Sequence, residues 1–352
     1  MSAFLSKKNP ALIILEAGVN HDGDFQKAKD LISDAAEAGA DYIKFQTYTA
    51  NRLAAKDSPS YWNLKEEPTT SQIELFSKYD GFEAKDYLAL ASHAQDCKIG
   101  FMTTCFDEIW VDDLDEIIPM YKIASADITN FGLIEHIARK NKPIIISTGA
   151  ANFLEIESAL GLIRRESDQE ICIMHCVLNY PTEFQNANLN RITELVKDFK
   201  GTTIGYSDHT RPESSHMAIQ TAYSLGARVF EKHFTLNKSL SGNDHYHSFS
   251  TLDCIEQIDS LRTLERMSRY SEENFIEIQT SARQFARRGL YASKPLMKGH
   301  IITAGDLIAL RPTYRPRGID ADSSSILINK KLAADHCAGQ PMTLDSFVNN
   351  SI

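Results

Sequence analysis

From residue 11 to about 268 the chain alternates short apolar runs with amphipathic stretches of helical period. Eight runs stand out: Leu12–Ala17, Asp41–Gln46, Ile99–Thr104, Met120–Ser125, Ile144–Thr148, Ile171–His175, Thr202–Tyr206 and Arg228–Phe234. Several are apolar at nearly every position, as strands covered on both faces should be. Between them the spacing changes to that of helices. Phe25, Ala28, Leu31, Ile32 and Ala35 share one face, and Gly39 offers a left-handed cap. Asn152 with Glu155 reads as a capping box before Ile156 and Leu160. Pro212 suits the first turn of a helix ending near Gly226. Eight strand–helix pairs in series predict an α/β fold, a closed (β/α)₈ TIM barrel. A doubly wound open sheet is the alternative. It usually has fewer strands, and no Gly-x-Gly-x-x-Gly follows the first run.

One connection breaks the rhythm. Residues 47–82 include Ser58-Pro-Ser-Tyr-Trp62 and Glu66-Glu-Pro-Thr-Thr70, and a loop this long in a compact domain is usually functional or disordered. On a barrel it would lie on the C-terminal face. Farther along, the polar stretch 271–284 reads as a linker, closing a first domain at 1–270. From 285 to 352 short β-like pieces such as Leu290–Ala292 alternate with turns, punctuated by Pro295, Pro312, Pro316 and Pro341. That pattern predicts a small separate domain.

Bulk properties narrow the class. A length of 352 residues exceeds what one core usually supports. The formal net charge is −10, which argues against a nucleic-acid footprint, so an anionic substrate would need a local cationic pocket. Six irregularly spaced cysteines predict a reducing compartment without disulfides, and Cys172 and Cys176 read as small hydrophobes within an apolar run. The longest early apolar run, Ala11–Leu15, is too short for a signal core or a membrane span, which predicts a cytoplasmic protein.

In such a barrel, chemistry gathers at the C-terminal ends of the strands. Nearly every run delivers polar groups there: Glu16, then Asn20-His21-Asp22-Gly23; Lys44 and Gln46; Thr103 and Thr104; Lys122, Ser125 and Asp127; Ser147 and Thr148; His175, Asn179 and Tyr180; Ser207, Asp208 and His209; Glu231, Lys232 and His233, with Asp244 and His245 beyond. Any one of these is most often solvated or paired. A structural rim, however, has no reason to converge so many charges. His209 and His233 end neighbouring runs and are candidate ligands for a divalent metal; two hydrogen-bonded core histidines are the bland alternative. Lys44, Lys122, Ser125 and Ser207 have the charge and hydroxyl donors to cradle a phosphate, unless the lysines only pair with Glu16, Asp127 or Glu231. Cys105 also ends a run. With no histidine obviously beside it, it reads as structural.

These residues match a known family. The chain resembles the sialic acid synthases, which make N-acetylneuraminate, legionaminate and pseudaminate. The matching segments are Glu16-Ala-Gly-Val-Asn20-His21-Asp-Gly, Lys44-Phe-Gln46-Thr, Tyr121-Lys122-Ile-Ala-Ser125, Ser147-Thr-Gly149, His175-Cys, Tyr180-Pro-Thr, Gly205-Tyr-Ser207-Asp-His209-Thr and Glu231-Lys-His233-Phe-Thr. Downstream, Arg288-Gly-Leu-Tyr-Ala, Lys298-Gly and Leu310-Arg311-Pro312 are similar to the β-rich antifreeze-like (SAF, β-clip) domain of the same enzymes.

The resemblance implies a transferase that condenses phosphoenolpyruvate with an N-acylated mannosamine-type sugar, with phosphate leaving by C–O cleavage. It implies a divalent metal, Mn²⁺ or Mg²⁺, on His209 and His233, with Glu16 as a candidate acid–base. By the same resemblance Lys44, Thr104, Lys122, Ser125 and Ser207 hold phosphoenolpyruvate, and Gln46, Asp127, Tyr180 and Asp244 face the sugar. It also implies a domain-swapped homodimer in which Arg311 reaches the partner's sugar site.

The chain departs from the family at points. Asp127 replaces a Glu of some members, and Leu178 stands where some place a polar phosphate contact, with Asn179 next door. The stretch Ser239–His247 departs from the usual Gly-Pro-Asp pattern. The acylated sugar therefore stays open. A 3-deoxy-octulosonate phosphate type of condensation and an inactive sugar-binding barrel are the rivals. A barrel hydrolase would show a His-x-His after the first strand, whereas His245-Tyr-His247 follows the eighth.

Overall fold

The computed structural model describes residues 10–212, 217–242, 244–312 and 317–348. Two compact units divide at Met267/Ser268.

The first unit is a near-closed parallel eight-stranded α/β barrel. Its strands are β1 (Leu12–Gly18), β2 (Tyr42–Thr47), β3 (Gly100–Cys105), β4 (Tyr121–Ile123), β5 (Ile144–Ser147), β6 (Ile171–Cys176), β7 (Thr203–Asp208) and β8 (Val229–His233). They pair in the order β3-β2-β1-β8-β7-β6-β5-β4, every pair parallel. β3 and β4 lie side by side without a ladder between them. The eight apolar runs thus form the eight strands. The fourth is shorter than expected, because Ser125–Asp127 turns into a 3₁₀ helix straight after β4.

Alternation along the strands sorts the side chains. One set packs outward against the helices. There Ala28, Leu31, Ile32 and Ala35 of Phe25–Glu37 are all fully buried. The other set fills the barrel. Ile14, Met102, Met120, Ile145, Cys172, Met174 and Val229 make an apolar floor. Gly205 lets this floor close, since a Cβ there would stand 2.8 Å from the Val229 carbonyl oxygen. One inward step nearer the C-terminal ends, the fill becomes polar and mostly charged: Glu16, Lys44, Lys122, Ser207 and Glu231.

The predicted capping box at Asn152 and Glu155 is present, opening the helix Phe153–Glu166. The helix expected after Pro212 runs over Met217–Ser224, and residues 213–216 lie outside the described set. The long connection 47–82 is ordered. It carries the helices Ala50–Leu53 and Gln72–Ser77 and a bridge from Pro59 to Ser71. Buried Glu67 ties it together by accepting from Thr69 N at 3.0 Å and Lys78 Nζ at 3.1 Å.

The second unit holds the helices Glu272–Glu277 and Thr280–Phe285, which fill the stretch read as a linker and run one residue past it. An antiparallel pair follows, β9 (Gly289–Ala292) with β10 (Leu307–Leu310). Leu290, Ala292, Leu296, Ile302, Leu327, Leu332, Met342 and Phe347 form its own small core. Pro316 lies outside the described residues. Among the described residues no helix is long and apolar enough to cross a membrane.

Candidate active site

A cavity of about 410 Å³ opens at the C-terminal ends of the strands. Of the sequence-predicted residues, it brings together Glu16, Lys44, Gln46, Thr104, Lys122, Ser125, Asp127, Tyr180, Ser207, His209 and His233. Asp244 lines a side pocket of about 80 Å³ that shares Gln46, Tyr180 and His233 with the main chamber. Arg311 is exposed in the second unit.

Strand register sets the charged layer. Glu16 on β1 lies opposite both Lys44 of β2 and His233 of β8, and Ser207 of β7 lies opposite Glu231. Lys44 Nζ is 2.7 Å from Glu16 Oε2 and donates to Thr104 Oγ1 at 3.2 Å. Glu231 Oε2 stands between two ammonium groups, 3.7 Å from Lys44 and 3.6 Å from Lys122. Ser207 Oγ donates to Glu231 Oε1 at 3.1 Å, and Gln46 Nε2 donates to Glu16 Oε1 at 2.9 Å.

These neighbours separate the two carboxylates. Burial pushes Glu16 up, and Lys44 only partly offsets it. Burial pushes Glu231 up as well, but Lys122 and Lys44 outweigh it and bring the group down to about 2. Burial likewise lowers Lys122, whereas Lys44 ends above its ordinary value because Glu16 and Glu231 outweigh burial. The chamber therefore holds one firmly anionic carboxylate, one more readily protonated, and two cations whose distance to Glu231 exceeds hydrogen-bond reach.

The two histidines face each other across this layer, ring centroids 5.4 Å apart. His209 Nδ1 faces the Val177 carbonyl oxygen at 2.8 Å, which fixes the proton there and makes Nε2, 3.5 Å from Ser207 Oγ, the lone-pair nitrogen. His233 Nδ1 lies 3.4 Å from Asp244 Oδ2, a looser ion-pair contact on the same side of the ring. An imidazole held at Nδ1 by an oxygen, with Nε2 free, is the usual state of a metal-binding histidine. The pair therefore fits a divalent cation. A second grouping also has suitable donors: ligand atoms of His233, Asp244 and His247 all lie within 4.8 Å of one another.

Several features were not anticipated. Glu231 is central to the chamber, although beyond its place on the rim it read as a pairing partner for the lysines; its position on β8 two residues before His233, hence on the same face, was the available signal. Leu53, Tyr61, Gln72 and Phe76, all from the 47–82 connection, line the chamber too. Cys176 is not a plain core residue. Its thiol lines the chamber 3.7 Å from His209 Nδ1, and His209 draws it down against the opposing effect of burial. Leu178 lines the chamber, whereas Asn179 is exposed and is not part of its lining.

Other rim groups are structural. His21 stacks on Phe82 at 4.6 Å, and burial lowers it to about 4. His175 hydrogen-bonds the Ala187 carbonyl at 2.8 Å. Cys105 is buried, with its thiol on the Trp110 carbonyl at 3.5 Å.

Similar proteins match this chain across most of their length. An N,N'-diacetyllegionaminic acid synthase of Campylobacter jejuni is 38% identical over 306 residues, 86% of this chain and 90% of its own. A pseudaminic acid synthase of Helicobacter pylori is 32% identical, covering 96% of this chain and 97% of its own. The crystal structure of an N-acetylneuraminic acid synthetase from Leptospira borgpetersenii superposes with a TM-score of 0.66 at 31% identity, covering 78% of this chain and 93% of that one. The NeuB family matches residues 31–273. With its strand-end chemistry and these likenesses together, the chain belongs to the NeuB family.

Proposed function

We propose that this chain is a nonulosonic acid synthase. It condenses phosphoenolpyruvate with an N-acylated mannosamine-type aldehyde and releases phosphate. The observation that carries the reading is the buried layer of Lys44, Lys122, Ser207, Glu16 and Glu231 beside His209 and His233, each with an oxygen set against its Nδ1. Lys44, Lys122, Thr104, Ser125 and Ser207 take the phosphate and carboxylate of phosphoenolpyruvate. Two ammonium groups supply charge, and the hydroxyls supply directional donors. Gln46, Asp127, Tyr180 and Asp244 take the sugar.

Carbon 3 of phosphoenolpyruvate forms a bond to the aldehyde carbon, whose oxygen gains a proton. Water adds at carbon 2, and the C–O bond to phosphate breaks, leaving a 2-keto acid. Glu16, positioned by Gln46 and Lys44, is the acid–base for that water. His209 and His233 would hold Mn²⁺ or Mg²⁺, which supplies a Lewis acid for the aldehyde oxygen. Glu231 stays anionic and keeps the two lysines in place. The second unit acts as an antifreeze-like domain, swapped across a homodimer so that Arg311 reaches the partner's sugar. We place the enzyme in the cytoplasm, in keeping with cysteines that are all free.

The test is phosphate release by metal-loaded protein offered N-acetylmannosamine, 2,4-diacetamido-2,4,6-trideoxymannose or arabinose 5-phosphate, with and without chelator. Chelator-sensitive release with an acetamido sugar is expected. Release with only the phosphorylated pentose, or silence with all three, overturns the reading.

A further inference from the structure

His247 has no role in the chemistry above, yet it is fully buried beside the site, in the turn His245–His247 after β8. Neither of its ring nitrogens makes a well-directed hydrogen bond among the described residues, and the contact it does make is an ion-pair distance to Asp244. Buried imidazole nitrogens are normally satisfied, so this one calls for a purpose. Its Nε2 lies 3.5 Å from Asp244 Oδ1, while Asp244 Oδ2 lies 3.4 Å from His233 Nδ1. The His247 ring stands edge-on to that of His233, centroids 4.8 Å apart. Tyr180 packs on both, at 5.5 Å from His247 and 6.0 Å from His233, and Tyr246 OH donates to the Tyr180 carbonyl at 2.9 Å.

Two uses of His247 are possible with these distances: a third ligand beside His233 and Asp244, or a support for them. The cavities decide between the two. His233 lines both the main chamber and the side pocket, Asp244 lines the side pocket, and His247 lines neither. A ligand needs access to the ion's open positions, and a support does not. The Nδ1 edge of His233 is turned toward Asp244, away from the chamber-facing role left to Nε2.

We propose that His247 is a positioning residue: it holds Asp244, and Asp244 in turn sets the tautomer and ring orientation of the cation ligand His233. The series His247–Asp244–His233 extends the usual carboxylate–histidine support by one further imidazole. This rests on the assignment of His233 as a ligand, so the test must separate the two claims.

The experiment is a Mn²⁺ titration of the full chain without substrates, read by the EPR signal of free ion. It compares wild type, His247→Ala, His247→Gln, Asp244→Asn and His233→Ala, with folding checked by circular dichroism. The expected result is about 10–100-fold weaker Mn²⁺ binding in His247→Ala and Asp244→Asn. His247→Gln, which keeps an N–H donor, should recover most of the affinity, and His233→Ala should bind no Mn²⁺. Unchanged affinity in His247→Ala overturns the positioning role. Complete loss in both His247 variants also overturns it, in favour of direct ligation. Should His247→Ala not fold, His247→Gln and Asp244→Asn carry the same comparison. Full binding by His233→Ala overturns the ligand assignment itself.

Discussion

Asp208 and Lys232 form an ion pair of 3.0 Å, both side chains 2% exposed, at the last step before His209 and His233. The two residues are partners in the β7–β8 ladder. Burial would push the Asp208 carboxyl up, but Lys232 and Thr210 outweigh it and hold it below its ordinary value. Asp208 Oδ1 also accepts from Thr210 N at 2.9 Å and from Tyr206 OH at 2.9 Å. The pair points away from the chamber, yet it fixes the spacing of the histidines that point in.

Removing one partner strands a buried charge. Lys232→Met is expected to cost about 3–5 kcal/mol of stability. Mn²⁺ affinity should fall with it, although neither residue touches the ion. Paired melts and metal titrations check this; an unchanged melting temperature would contradict the clamp.

Gly149 tests the phosphate cradle. Its N–H donates to Ser125 Oγ at 2.9 Å, and a Cβ at this position would stand 2.8 Å from the same oxygen. Gly149→Ala should therefore displace Ser125 and raise KM for phosphoenolpyruvate about tenfold, which corresponds to ~1.4 kcal/mol. Sugar KM should hold. Steady-state kinetics with each substrate varied in turn would show whether the loss is confined to phosphoenolpyruvate.

Arg311 should behave as a partner-donated group. Arg311→Ala should weaken sugar affinity more than phosphoenolpyruvate affinity. Mixing it with a Lys122→Ala chain should restore activity, since half of the hybrid sites are then complete. No recovery on mixing, with dimers confirmed, would count against swapping.

The second unit carries a pH dependence of its own. Hydrogen bonds from His300, at 2.8 Å, and then from Lys294 and Thr303 hold the Asp306 carboxyl well below its ordinary value. A depressed carboxylate contributes stability that is fully present above its unfolded value of about 3.9. That contribution is lost as pH falls toward the folded value. Protection from hydrogen exchange at Thr303–Leu307 in the full chain, taken relative to an unstructured peptide at the same pH, should fall on acidification below about pH 4. Asp306→Asn should show the lower protection at every pH.

Much of the site was readable because a barrel strand buried on both faces is an apolar run that ends where its chemistry begins. Glu16, Lys44, Lys122, Ser207, His209 and His233 could be placed by that rule alone. Glu231 was underrated because a charge amid other charges looks like a counter-ion until distances show two lysines sharing it. Tyr61, Gln72 and Phe76 were illegible for a different reason: their connection has no period, and its shape depends on tertiary ties such as Glu67 to Lys78. Leu178 and Asn179 show the limit of spacing, since one residue's difference in direction exchanges wall for solvent.

Beyond Thr47, which ends the β2–β3 ladder, the 47–82 connection supplies Leu53, Tyr61, Gln72 and Phe76 to the chamber. Insertions or exchanges there can remodel the wall against which a sugar is measured, and the floor where bonds are made stays untouched. Preference for one acylated aldehyde over another can thus drift in evolution at little cost to folding or to the chemistry beneath.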